Sequence, residues 1–170
     1  MILPMPLLAP LAIGLCCAVV CDLWRRRIPN VISGFVLLSG LAINAHHAGI
    51  HAFLSGLGAS LLLLLLLYPA WRSGGIGGGD VKLAAATGGW LGLGHLVWFV
   101  LAGAAAGGVV AAVSYCFAPA AVRADVRANI VLAGLHGELP PQQASHRKAR
   151  VSVPYALAIS AGAAVELLIG

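Results

Sequence analysis

An all-α bundle of membrane-spanning helices is the fold class this sequence predicts, and three observations predict it. Of 170 residues, 61% are hydrophobic and 9% charged, whereas an ordinary soluble domain is roughly 45–50% apolar and about 25% charged. The apolar residues fall into runs close to the roughly twenty that a helix needs to cross a bilayer. The ten lysines and arginines cluster between those runs, at Arg25 to Arg27, Arg72 with Lys82, Arg123 with Arg127, and Arg147 to Arg150. That is the distribution of loops facing the cytoplasm, not of a nucleic-acid surface.

The first run, Leu3 to Cys21, has no basic segment before it and no small-residue cleavage site followed by a soluble domain. It reads as a retained span rather than a removable signal peptide. Val31 to Ala48 and His51 to Ala70 are the second and third spans, and the seven leucines Leu61 to Leu67 read as lipid-facing bulk. A glycine-rich stretch from Gly74 to Gly79 follows, then a short apolar run from Val81 to Leu93, a long one from Leu96 to Phe117 and a last one from Val153 to Ile169.

Parity decides whether the short run crosses. If it does not, the stretch from Ala118 to Ser152, which carries Arg123, Arg127, Arg147, Lys148 and Arg150, faces outward. With six spans every Lys and Arg lies inside. The positive-inside rule therefore predicts six helices with both termini outside, the short fourth one sheltered by neighbours or matched by local thinning of the bilayer. The whole chain, 1–170, reads as one membrane-embedded domain. In the long inner loop, Val122, Val126 and Ile130 recur at i+4 beside Arg123 and Arg127, a pattern open to a short helix on the membrane surface, and the loop reads equally as a plain solvated connector or a substrate-docking element. The part from Gly134 to Ser145, with Pro140 and Pro141, reads as irregular.

Cys16, Cys17, Cys21 and Cys116 lie in or at the ends of apolar runs with no Cys-x-x-Cys pair. They read as small buried thiols without a zinc or redox role. His46, His47 and His51 fall in or beside an outer loop and read as solvated rather than as metal ligands.

A carboxylate at the centre of a membrane helix costs on the order of 2.5–3.5 kcal/mol, and less near the interface, so each one needs a reason. Asp22, Asp80 and Glu166 are the three in question. In the six-helix topology Asp22 ends the first helix and Asp80 begins the fourth, so both reach the same cytoplasmic edge, while Glu166 lies near the opposite face. Two converging carboxylates can share one proton. The ionised member then takes a proton from water as it attacks a peptide carbonyl, and the protonated member donates to the oxyanion or leaving amine.

Each aspartate also has a plain structural reading: Asp22 as ion-pair partner of Arg25 or Arg26 at i+3 and i+4, Asp80 as an N-cap or first-turn acid. Five glycines among Gly74, Gly75, Gly77, Gly78 and Gly79 precede Asp80, and backbone without side chains lets an extended peptide lie close to the carboxylate. A flexible hinge or an anion-binding loop is the plainer account of these glycines. A nucleotide P-loop is disfavoured, since the Gly-Lys-Ser/Thr ending is missing.

Here the sequence resembles the type IV prepilin peptidases, membrane aspartic proteases of the Gly-x-Gly-Asp class, and among them the short forms associated with tight-adherence (Flp-type) pili. Gly77-Gly78-Gly79-Asp80-Val81-Lys82-Leu83 is similar to the family's Gly-x-Gly-Asp-Val-Lys-Leu motif. Asp22 followed by Arg27-Ile28-Pro29-Asn30 is similar to the Asp-containing segment ahead of the second helix. Val153-Pro154-Tyr155-Ala156 is similar to the Pro-Tyr motif that opens the last helix.

The resemblance implies that Asp22 and Asp80 are catalytic and that Gly77, Gly78, Gly79, Lys82, Asn30, Pro154 and Tyr155 bind substrate or support the site. Local chemistry gives the last four ordinary alternatives. Asn30 reads as the N-cap of the second helix, Lys82 as a partial neutraliser of the carboxylates or a snorkelling cation, Pro154 as a first-turn proline and Tyr155 as an interfacial anchor.

By resemblance the substrates are pilin-like precursors, cleaved at the cytoplasmic side of the bacterial inner membrane, with no cofactor or metal. Long members of the family also methylate the new N-terminus and carry a cytoplasmic insertion with paired Cys-x-x-Cys motifs. Only Asp22 to Asn30 separates the first two spans here, so neither the zinc-binding insertion nor the methyltransferase activity is expected. The competing function is a small transporter or pilus assembly factor that uses Asp22 and Asp80 as a proton or cation site. A presenilin-type protease fits less well, because Cys21-Asp22 stands where that class has Tyr-Asp.

Overall fold

The computed structural model describes residues 5–25, 27–121, 123, 124, 126, 127 and 155–169. Every regular element among them is helical: α1 (Ala9–Arg25), α2 (Asn30–Arg72), α3 (Gly78–Leu91), α4 (Leu96–Cys116) and α5 (Tyr155–Ile169), with 3-10 turns at Met5–Leu8 and Leu93–His95. The described residues group into two compact units, one within Met1–Gly107 and Pro154–Gly170, the other within Gly108–Val153.

α2 is two limbs, not one rod. Gly49 interrupts its 43 residues with φ 77° and ψ −171°, a backbone conformation that glycine alone adopts readily. A Cβ placed on Gly56 would touch the side chains of Asn44 and Leu41 at 3.3 Å. Twelve residues of unbroken helix would hold Asn44 and Gly56 about 18 Å apart, so the chain doubles back at Gly49. The second and third predicted spans are thus separate limbs, joined with almost no loop. His46 and His47, whose rings pack edge to face at 4.9 Å, lie on the helical flank of this reversal rather than in a loop.

α3 fills the centre of the first unit. Val81 and Leu83 through Trp90 are all buried, as expected of a helix enclosed on every side. Fourteen residues rise only about 21 Å, and here protein rather than lipid surrounds most of them. Its neighbours fix its direction. Gly79 lies against Ile28 and Lys82 against Asn30, while at the other end Trp90 Nε1 donates to the Val36 carbonyl at 2.6 Å. α3 therefore runs parallel to the first limb of α2. Trp71 meets Gly78, and Gly56 meets Gly89, so it runs antiparallel to the second.

Asn44 closes the far end of α3 by donating from Nδ2 to the carbonyls of Gly89 at 3.1 Å and Trp90 at 3.2 Å. These are carbonyls that a helix terminus otherwise leaves unpaired.

At the α2–α3 seam a Cβ on Gly56 would meet the Gly89 carbonyl oxygen. A backbone atom cannot swing aside, so Gly56→Ala is expected to destabilise the protein by the roughly 1–3 kcal/mol typical of overpacking. Thermal unfolding in detergent checks this. Gly34→Ala, where a Cβ has nothing within 4 Å, serves as the unaffected control.

Two helices, Asn30–Arg72 and Leu93–Cys116 counted with its leading turn, are long and apolar enough to cross a bilayer, and Tyr155–Leu168 is a shorter apolar helix. Large hydrophobic side chains cover much of the surface, among them Leu61, Leu62, Leu64, Leu65 and Leu66. The leucine run is not uniform bulk, however: Leu63 is in the core. The thiols also differ from expectation, because Cys16, Cys17 and Cys116 are exposed.

In the second unit Arg127 Nε donates to Tyr115 Oη at 2.9 Å. Ala120, Ala121, Arg123, Ala124, Val126 and Arg127 are helical. Val122, Ile130 and the predicted irregular stretch from Gly134 to Ser145 lie outside the described residues, as do Arg26 and the cluster from Arg147 to Arg150.

Candidate active site

The reversal at Gly49 and the direction of α3 bring the end of α1, the start and end of α2 and the starts of α3 and α5 to one end of the first unit. Asp22, Arg27, Ile28, Gly77, Gly78, Gly79 and Asp80 line a single cavity there, of about 270 Å³. Asp22 stands one turn before the end of α1, and Asp80 lies in the first turn of α3, with Gly77 as N-cap. Both carboxylates face this cavity. Among the described residues neither aspartate forms an ion pair, so the plain reading of Asp22 as a partner of Arg25 fails, and that with Arg26 falls outside the described residues.

Each carboxylate has a backbone N–H on one side and is free on the other. The backbone N–H of Ala156, in the first turn of α5, faces Asp22, and that of Gly77 faces Asp80. Asp22 Oδ2 and Asp80 Oδ1 are buried and have no hydrogen-bond partner among the described residues. A buried polar oxygen left without a partner is costly. Two such oxygens on one cavity are suited to hold a shared proton and a water.

The glycines form the wall. A Cβ on Gly77 would stand 2.6 Å from Asp80 Oδ2, one on Gly78 3.0 Å from Trp71 Nε1, and one on Gly79 3.2 Å from Ile28 Cβ. Their value is space beside the carboxylate. The backbone of Gly77 itself, at φ −69° and ψ 140°, is open to any residue.

Lys82 and Asn30 are brought together, but not onto the aspartates. Lys82 Nζ donates to Asn30 Oδ1 at 3.0 Å, and both line a neighbouring groove with Ser33, Ser60 and Ala86. Pro29, not Asn30, takes the N-cap position of α2 and makes no side-chain cap. The N-cap reading of Asn30 is therefore replaced by a cross-helix contact. Tyr155 opens α5, half-buried, while Pro154 lies outside the described residues.

A family model described as the type IV leader peptidase family matches residues 9–112. The chain belongs to the type IV leader peptidase family. No curated protein and no solved structure matches it. The matched stretch takes in both aspartates, Arg27 to Asn30 and Gly77 to Lys82, and leaves out α5.

Three polar contacts escaped sequence reasoning. The Ala156 N–H on Asp22 is a backbone group and carries no sequence signal beyond its place at a helix start. Asn44 is one buried amide in an apolar run. Glu166 stood out with the two aspartates as an acid in an apolar run, but nothing in the sequence singled out its partner, His95.

Proposed function

We propose that this protein is a multi-pass aspartic endopeptidase of the bacterial inner membrane. It removes the short basic leader from Flp-type pilin precursors, with Asp22 and Asp80 as its catalytic pair at the cytoplasmic edge. The observation that carries this reading is the meeting of Asp22 and Asp80 on one glycine-walled cavity in a chain of the leader peptidase family.

In this reading α1, the two limbs of α2, α3, α4 and α5 are six alternating passes through the membrane, with α3 sheltered inside the bundle. Arg25, Arg27, Arg72 and Lys82 stand at the aspartate end, which the positive-inside rule places in the cytoplasm. The ionised carboxylate accepts a proton from the attacking water, and the hydroxide equivalent adds to the scissile carbonyl. The protonated carboxyl gives its proton to the leaving amine as the C–N bond breaks. The free edges of Gly77, Gly78 and Gly79 admit an extended peptide to the cavity. The single domain spans the chain, and the short link between α1 and α2 carries no zinc or methyltransferase insertion.

The test is a cleavage assay with the purified full chain and a small precursor whose basic leader precedes an apolar helix, in the presence of S-adenosylmethionine and excess chelator. Mass spectrometry is expected to show the leader removed, the new N-terminus unmethylated and the yield unaffected by chelation. An uncut precursor counts against the peptidase. Cleavage lost on chelation and restored by zinc counts against water activation by carboxylates.

A further inference from the structure

At the opposite end of the first unit from the aspartates, Glu166 of α5 is only 4% exposed, and its Oε1 lies 2.6 Å from Nδ1 of His95, whose side chain is 41% exposed. A polar contact to a buried acid contributes little net stability, and the best-attested use of such pairs is to fix register. The rest of the α4–α5 seam gives that use a purpose. Gly162 packs on Gly103, where an added Cβ would stand 2.9 Å from the Gly103 nitrogen and 3.1 Å from the Phe99 carbonyl. Ala158 meets Gly103 and Gly107. Small residues let helices approach closely, and from Gly103 to Gly107 α4 offers no large side chain to stop one helix sliding along the other.

Both partners of the pair are tied to the candidate active site. Ten residues before Glu166, about 15 Å along the helix, the Ala156 N–H lies against Asp22. His95 ends the turn that follows α3, the helix that carries Asp80, and this turn is itself pinned by the Leu93 N–H donating to Ser55 Oγ at 2.9 Å. A slip of α5 by one residue, about 1.5 Å, is enough to lift the Ala156 N–H off the carboxylate.

We propose that the Glu166–His95 pair sets the axial register of α5 and thereby holds Asp22 in place opposite Asp80. Glu166 and His95 are positioning residues, acting from the far end of the bundle through a rigid helix. The proposal rests on the reading of Asp22 and Asp80 as the catalytic pair.

The informative variant is the double replacement Glu166→Leu with His95→Leu, which removes the contact without leaving an unpaired buried charge. Its thermal midpoint in detergent is expected to stay close to the parent's, while kcat falls tenfold or more and KM stays within twofold. The exchanged pair, His95→Glu with Glu166→His, is expected to recover most of kcat. Spin labels on cysteines introduced at Leu23 and Leu157, both exposed, in a background cleared of the native cysteines, report the spacing of α1 and the start of α5. That distance distribution is expected to be narrow in the parent and broad or shifted in the double leucine variant.

An unchanged kcat overturns the proposal, whatever the distance does. So does a fall in kcat with an unchanged distance, a fall that tracks loss of folded protein, or no recovery in the exchanged pair. The distance measurement needs no substrate. Normal cleavage by Asp22→Asn would therefore defeat the proposed function alone, leaving the register contact to be judged by the labels.

Discussion

Replacing either Asp22 or Asp80 by asparagine is expected to lower precursor cleavage by about 10²–10⁴-fold, the usual contribution of one acid–base group, while the folded yield in detergent is unchanged or improved. Asparagine keeps the shape of the side chain and an oxygen to accept from the Ala156 or Gly77 N–H, so the helix ends keep their partners. It cannot ionise, and one member of a proton-sharing pair is lost. Two carboxylates facing one cavity are also a burden on folding, and relieving that burden at a functional site commonly stabilises a protein. Processing followed on gels, beside thermal unfolding of the same preparations, separates the two effects. Cleavage at the parent rate by either single variant would remove that aspartate from the mechanism.

Gly77→Ala is expected to have the next largest effect, a loss of tenfold or more in cleavage with little change in stability. The new methyl would sit 2.6 Å from Asp80 Oδ2, well inside contact distance, and the carboxylate is the part free to yield. It turns away from the cavity while alanine accepts the N-cap backbone without strain. A tenfold loss corresponds to about 1.4 kcal/mol of transition-state stabilisation, a modest demand on a displaced acid–base group. Gly108→Ala, where a Cβ has nothing within 4 Å, should cleave and unfold like the parent. A fully active Gly77→Ala would mean that Asp80 works in a different orientation.

The gathering of Asp22 and Asp80 at one end was readable because it depends only on counting passes between them, and apolar run length with the spacing of Arg and Lys supports that count. The glycine wall was readable for a similar reason, since a motif contiguous in sequence stays contiguous in the fold. What could not be read depends on rotation about helix axes. The leucine run Leu61 to Leu67 is apolar in every direction, so nothing in it marks Leu63 as the core residue. Lys82 is two positions from Asp80, and only the packing of α3 against α2 turns it to Asn30 and away from the carboxylates. The pairing of His95 with Glu166 spans 71 positions and follows from where α5 docks, which a pattern of small apolar residues does not specify.

The order in which the chain is made gives the placement of α5 a further meaning. Ala156, whose N–H faces Asp22, is synthesised after both acids. A nascent chain that has already inserted both acids still lacks the group that lies against one of them. Hydrolytic competence is thus expected to appear only as α5 docks, so that a chain halted before α5 does not cut its neighbours.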